Sequence, residues 1–115
     1  MIRVILESPL GSRVDGTRAS PEEFKRNQEY ALECMRDSLA RGEAPFASHV
    51  LYPLVLNDAT PAERKQGMQA GFAWGDCAEL VAVYVDFGIT PGVWEGIRRA
   101  TRRGTPIEYR ELGNR

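Results

Sequence analysis

The stretch LVAVYV, residues 80–85, decides the fold, because every one of its positions is apolar. A strand covered on one face alternates apolar and polar residues, whereas an unbroken apolar run of this length is typical of a central strand in a parallel sheet. Three further short segments, bounded by turn residues, predict the other strands. These segments are Ile2–Leu6, Pro45–Val50 and Thr105–Arg110.

Three helices are predicted between these strands, each from its own start signal. The segments SPEE at 20–23 and TPAE at 60–63 place Ser or Thr at the N-cap, Pro at the first helical position and Glu where it completes a capping box. The segment TPG at 90–92 starts the third helix. The predicted helices run from Pro21 to Gly42, from about Pro61 to about Asp76, and from Pro91 to Gly104.

Strands and helices therefore alternate along the whole chain, with short connections. This order favours a parallel sheet with helices on both faces and right-handed crossovers. We predict one flavodoxin-like α/β domain over residues 1–115, built in three layers. Its four-stranded parallel sheet has the strand order 2-1-3-4 and carries three helices.

Composition excludes several classes of protein. Fifteen basic and sixteen acidic residues give a net charge of −1, so neither nucleic acid nor a membrane surface is an expected partner. Residues 98–115 are locally basic, and we expect the arginines at 98, 99, 102 and 103 to form a solvated helix face. No stretch approaches the roughly 20 apolar residues of a membrane span, and we expect a cytoplasmic protein.

The two cysteines, Cys34 and Cys77, lack metal-ligand or redox spacing. We expect them to be buried thiols, and we expect neither a metal nor a cofactor.

The second predicted helix also carries glycines at 67, 71 and 75, on one stripe. Since each Gly costs a helix about 1 kcal/mol against Ala, the stripe indicates close approach to a sheet, a helix or a partner chain. We predict a homo-oligomer packed through the second or third helix.

Ligands of open parallel sheets bind beyond the carboxyl ends of the strands, where strand order reverses. Glu7 follows the first strand and Asp86 the third, and each is either a cap or ion-pair residue or a reactive carboxylate. His49, the only histidine, is either hydrogen-bonded structurally or an acid/base group. Asn27 interrupts an apolar helix face, so its amide meets a backbone group or a ligand. The predicted substrate-binding residues are Ser8, Pro9, Asn27, His49, Tyr52, Thr90 and Gly92.

Several segments together resemble the nucleoside 2-deoxyribosyltransferase-like superfamily. They are ESP at 7–9, the early helical Asn27, TPG at 90–92 and GTPI at 104–107. The resemblance covers nearly the whole chain and is closest to a branch of small uncharacterised phage and bacterial proteins. The motifs of P-loop, Rossmann, serine-hydrolase and zincin proteins are absent from the sequence.

The resemblance implies binding of nucleosides or nucleotides and cleavage or transfer of an N-glycosidic bond. The superfamily carboxylate is usually a Glu four residues after the glycine of the late motif, a position held here by Gly96. Glu95 comes one residue early, about 100° around the helix. We therefore expect any activity to depend on Glu95, Glu7 or Asp86.

The loop with Arg13 and Arg18, together with the start of the third helix, predicts binding of a 5′-monophosphate. Two functions remain open at this point. The first is an enzyme acting on the N-glycosidic bond of (deoxy)nucleoside 5′-monophosphates. The second is a module that senses or sequesters nucleotides and has lost the nucleophilic Glu. A purely structural or partner-binding protein is a third alternative.

Overall fold

The computed structural model describes residues 1–113. The strands are β1 (Arg3–Glu7), β2 (Ala44–Phe46), β3 (Leu80–Tyr84) and β4 (Ile107–Arg110). The helices are α1 (Pro21–Ala40), α2 (Ser48–Leu51), α3 (Pro61–Gly75) and α4 (Pro91–Arg103), and a 3-10 turn over Tyr52–Leu54 follows α2.

The four strands form one parallel sheet in the order β2-β1-β3-β4, which confirms the predicted fold class and strand order. Val4 of β1 is in register with Pro45 on one side and with Leu80 on the other. β3 lies between β1 and β4, as its unbroken apolar sequence predicts. Both of its faces are covered, and its residues from Val81 to Tyr84 are all buried.

Side chains alternate between two hydrophobic layers, one on each face of the sheet. On the α1 face, Val4, Leu6 and Tyr84 pack with Tyr30 and Cys34. On the α4 face, the layer consists of Val81, Val83, Val93, Ile97 and Ala100, with Ile5 packed against it. The same alternation directs Glu7, two residues after Ile5, towards the α4 face.

Two of the three predicted helix start signals form a side-chain N-cap. Ser20 Oγ accepts a hydrogen bond from the Glu23 amide at 3.1 Å, and the Glu23 carboxylate accepts one from the Ser20 amide at 2.9 Å. Thr90 caps α4 through the Val93 amide. The predicted capping box at Thr60 is wrong, because Thr60 makes no side-chain cap bond. The Glu63 carboxylate instead accepts a hydrogen bond from the backbone N–H of Asn57 in the preceding loop.

The second strand is shorter than predicted, and residues 1–113 contain four helices rather than three. The chain leaves the sheet after Phe46 and forms α2, where a strand to Val50 is predicted. The reason is tertiary packing: Ser48 lies against α3 at Gly71, where a Cβ would be only 2.5 Å from Ser48 Oγ. Contact with α3 thus overrides the local preference of a short edge segment.

Candidate functional site

A cavity of about 100 Å³ lies at the carboxyl end of β1, with walls contributed by α2, α3 and α4. A groove of about 940 Å³ adjoins it. The cavity and the groove share the lining residues Gly11, Ser12, Asp58, Arg64, Met68 and Phe72. Small-molecule sites commonly occupy about 300–1,000 Å³. A ligand of that size therefore fits the groove, with one end in the cavity.

Glu7 reaches the cavity from the last position of β1 and lies against Gly96 of α4. A Cβ at position 96 would overlap the Glu7 carboxylate, so the glycine makes room for it. Burial raises the pKa of Glu7 to about 8, and the positive charge of Arg103 only partly opposes this shift. At neutral pH the carboxyl group therefore carries a proton.

Ser8 and His49 form a hydrogen-bonded pair in the same cavity. Ser8 Oγ and His49 Nε2 are 2.6 Å apart, and Ser8 is buried. α2 places the imidazole there, since His49 is the second residue of this short helix. Burial lowers the pKa of His49 to about 4, so the ring is neutral at neutral pH.

Three further charged side chains line the cavity. Arg64 donates to Ser12 Oγ at 2.9 Å and lies beside Gly92 at the start of α4. Arg103 lies against Gly75, and its buried Nε has no hydrogen-bond partner within residues 1–113. Asp58 occupies space that a side chain at Gly11 would need. The cavity thus combines two carboxyl groups, two guanidinium groups and a neutral imidazole.

The groove is predominantly basic along the part that the structure describes. Its lining includes one acidic side chain, Asp58, and four basic ones, Arg18, Arg64, Lys65 and Arg99. Arg99 also stacks over the Phe72 ring, with its Cζ 4.1 Å from the ring centroid. This excess of positive charge favours an anionic ligand.

Several residues predicted from the sequence do meet at this site. Ser8, His49, Thr90 and Gly92 line the cavity together with Glu7. Tyr52 lines a small pocket beside it that also contains His49. Arg18 lies in the groove. The strand ends and the start of α4 therefore converge as the topology predicts.

Asp86 and Asn27 lie outside the lining of the cavity and have structural partners. Asp86 accepts hydrogen bonds from the Tyr30 hydroxyl at 2.5 Å and from the Leu112 and Gly113 amides, which ties the C-terminal segment to the sheet. Burial opposes its ionisation, but these bonds hold the pKa of Asp86 below its usual value. Asn27 donates to the Leu10 carbonyl at 2.7 Å and accepts from Arg26.

Glu95, Arg13 and Pro9 also lie outside the lining of the cavity. Glu95 is paired on the surface of α4 with Arg98 at 3.1 Å and with Arg99 at 3.6 Å. Arg13 is paired with Glu23 at 2.8 Å, which anchors the loop to the start of α1. Pro9 lines a separate pocket of about 190 Å³ with Arg13 and Asn27. Glu95 faces the surface because it lies one residue, about 100° around the helix, before the position expected for the superfamily Glu.

Sequence reasoning missed Asp58, Arg64 and Arg103. Arg99 and Arg103 were expected on a solvated face, but they line the groove and the cavity respectively. A signal existed for both, since positions 96, 99 and 103 fall on one stripe of a helix. Asp58 had no such signal, because its segment has no regular pattern before α3 begins. Arg64 lies in α3, whose polar and apolar residues do not separate into two faces.

Within residues 1–113, no group of three or more His, Cys, Asp or Glu side chains is arranged to hold a metal ion. In the same part of the chain, no helix is long and apolar enough to cross a membrane.

A family model described as a domain of unknown function, DUF7768, matches residues 3–110, from the first residue of β1 to the last of β4. No curated protein and no solved structure matches the chain.

Proposed function

We propose that this chain, which belongs to the family described as domain of unknown function DUF7768, breaks the N-glycosidic bond of (deoxy)nucleoside 5′-monophosphates. Glu7 is the reacting carboxyl group of this proposal. No metal or cofactor is required, because the sugar–base bond can be broken by acid/base groups alone.

One observation carries the proposal: the carboxylate of Glu7 lies where a side chain at position 96 would begin. In the superfamily that the sequence resembles, the reacting Glu is expected at that helical position. Here the helix has Gly96, and β1 supplies a carboxyl group to the same place. The site therefore retains the functional group while its point of attachment differs.

The charge of the groove supports a nucleotide rather than a nucleoside as the ligand. Arg64 lies beside the start of α4, and three more basic side chains line the groove. Charge-assisted hydrogen bonds to a phosphate contribute about 1.5–3 kcal/mol each before desolvation. A monophosphate should therefore stabilise the protein against heat more than its nucleoside does, and equal shifts would reject phosphate recognition.

The protonated state of Glu7 suits it to donate a proton to the leaving base. As the bond between C1′ and the base nitrogen breaks, its electron pair passes to the nitrogen, which takes the proton from Glu7. Water supplies the hydroxyl group that C1′ gains and gives up its other proton. The base leaves uncharged, and Glu7 is left as a carboxylate near Arg103. The guanidinium then stabilises the charge that the reaction creates.

The test is base release from a panel of ribo- and deoxyribonucleoside 5′-monophosphates. Glu7→Gln keeps the shape of the side chain but cannot give up a proton as an acid, and we expect a loss of about 10²–10⁴-fold. Glu95→Gln makes the same chemical change on the surface of α4 and should leave the rate unchanged. Unreduced activity in Glu7→Gln would overturn the assignment.

A two-site variant tests whether the point of attachment matters. Glu7→Ala removes the carboxyl group and frees the space beside Gly96, and adding Gly96→Glu returns a carboxyl group from the helix. We expect the double variant to recover part of the activity that Glu7→Ala loses. Activity no higher in the double variant than in Glu7→Ala would contradict the equivalence of the two positions.

Binding without cleavage is the second candidate function. It is favoured by the raised pKa of Glu7, because an uncharged carboxyl group is not a nucleophile. A wild-type protein that is stabilised by nucleotides but releases no base from any of them would support this sensing or sequestering role. Both candidates fit a cytoplasmic protein, since Cys34 and Cys77 are free thiols. Cys34 is buried as predicted, whereas Cys77 is exposed and the prediction of its burial is wrong.

A further inference from the structure

We infer that the Ser8–His49 pair takes the proton of an attacking water, so that base release is a single displacement that inverts the configuration at C1′. This inference rests on the proposed function, since it assigns the partner of Glu7 in the same reaction. It differs from a route through a covalent glycosyl–enzyme intermediate, which would retain the configuration.

In the tautomer that carries its proton on Nδ1, His49 accepts the hydrogen bond of Ser8 at Nε2, and the pair then acts as a proton relay and its acceptor. Ser8 Oγ lies 2.6 Å from His49 Nε2, within the range for direct proton transfer. Ser8 is 5% exposed and His49 is half-buried, so the hydroxyl end of the hydrogen bond is shielded from bulk water. Both residues line the cavity that Glu7 enters.

The acid and the base reach the cavity from different walls. Glu7 lies against Gly96 of α4, whereas His49 is held on α2, beyond the end of the edge strand β2. A single displacement needs its acid and base on opposite sides of the sugar, with room for a water between the base and C1′. The cavity, at about 100 Å³, has that room beside a sugar seated in the groove.

The protonation states fit this assignment. Burial lowers the pKa of His49 to about 4 and raises that of Glu7 to about 8. Between these values the imidazole is free to accept a proton and the carboxyl group has one to give. The other titratable side chains that line the cavity beside them are Asp58, Arg64 and Arg103.

The atoms and electrons of the step balance without a further reactant. The water oxygen forms a bond to C1′ as the bond to the base nitrogen breaks, and the electron pair of that bond goes to the nitrogen. The water proton passes to Ser8 Oγ while the Ser8 proton passes to His49 Nε2, and the Glu7 proton goes to the base. Exchange of one proton between His49 and Glu7 through solvent restores the starting state.

The decisive experiment identifies the anomer formed when the wild-type protein acts on a β-nucleoside 5′-monophosphate in aqueous methanol. Methanol replaces water as the nucleophile, and the methyl glycoside is assigned by ¹H NMR. We expect the inverted α-anomer. The retained β-anomer would overturn the inference while leaving the proposed function intact.

Variants of the pair provide the second arm. His49→Gln and Ser8→Ala should each reduce kcat by about 10-fold or more, and thermal-shift titration should still detect nucleotide binding. His49→Gln should also lose the acid limb of the pH profile. Ser20→Ala, a serine at the start of α1 outside the cavity, should keep the wild-type rate.

The two proposals fail in distinguishable ways. Base release that Glu7→Gln abolishes but His49→Gln leaves unchanged would overturn the role of the pair and keep the proposed function. A wild-type protein that releases no base from any nucleotide would overturn both.

Discussion

Glu7 and His49 line the same cavity, and burial shifts their pKa values in opposite directions. The cause is shared, because a low-dielectric environment disfavours the charged form of either group. For a carboxyl group the charged form is the deprotonated one, so the pKa rises. For an imidazole it is the protonated one, so the pKa falls.

Glu7 should make the stability of the protein fall as the pH rises from 4.5 to about 8. In this window the folded chain keeps a proton that the unfolded chain has lost, so unfolding is favoured by rising pH. Glu7→Gln removes the titration, and His49 titrates in both proteins, so its contribution cancels. We expect the variant to be about 4 kcal/mol more stable than wild type at pH 8 and nearly equal at pH 4. Urea unfolding at both pH values checks this, and a less stable variant at pH 8 would contradict it.

The buried ion pair between Arg110 and Glu43 should matter far more to stability than an exposed one. Arg110 Nη2 lies 2.7 Å from Glu43 Oε2, and the two side chains are 2% and 12% exposed. Glu43→Gln removes the buried counter-charge of the guanidinium and leaves it only the half-exposed Glu108 at 2.9 Å, so it should cost about 3–5 kcal/mol. Glu79→Gln breaks the pair with Arg3, which is 66% and 45% exposed, and should cost at most about 1 kcal/mol. Equal losses in thermal unfolding would refute the distinction.

At the scale of elements, the glycine stripe of α3 is accounted for by packing within the chain. A Cβ on Gly67 would meet Leu56 and Tyr52 at 3.5 Å, and one on Gly75 would meet the Arg103 guanidinium at 3.1 Å. Gly71 is the tightest of the three, because α2 lies directly against it. The sequence predicted that the stripe approaches a sheet, a helix or a partner chain. Among the described residues, the observed contact is with a helix of the same chain.

Two alanine substitutions on this stripe should have opposite effects. Gly71→Ala would place its Cβ 2.7 Å from Ser48 Cβ, and neither atom can swing aside, so we expect a loss of about 1–3 kcal/mol. Gly67→Ala meets only ordinary van der Waals contacts, and its greater helix propensity should leave stability equal or raise it by up to about 1 kcal/mol. Chemical denaturation of both variants checks the pair of outcomes. A Gly71→Ala protein as stable as Gly67→Ala would show that α2 moves freely.

At the scale of the whole molecule, assembly stays a prediction. α3 and α4 expose large aromatic side chains, Trp74 at 57% and Trp94 at 45%, and such surface commonly marks an interface. We expect a homo-oligomer, at least a dimer, packed through α3 or α4. Light scattering at micromolar concentration should give a mass of at least twice 12.9 kDa, and a 12.9 kDa particle would contradict it. Trp74→Ser and Trp94→Ser, examined separately, would identify the helix that forms the contact.

The sequence by itself determined the fold, because its signals are local or periodic. The apolar run at 80–85 forms an inner strand whose residues 81–84 are buried, and the SPEE segment at 20–23 forms its capping box from neighbouring residues. Alternation of strands and helices then leaves few topologies, and the order 2-1-3-4 follows. The same topology brought Ser8, His49 and Gly92 to one edge of the sheet.

Only the tertiary structure decided which charged groups reach the cavity. The resemblance placed Glu95 slightly ahead of Glu7 and Asp86 among the candidate carboxylates. Helical phase nevertheless leaves Glu95 on the surface, and hydrogen bonds to the C-terminal segment engage Asp86. Glu7 reaches the cavity because Gly96, distant in sequence, lacks a side chain. Such complementarity depends on the packing of β1 against α4. No local propensity or period encodes it, so it exists only once the chain has folded.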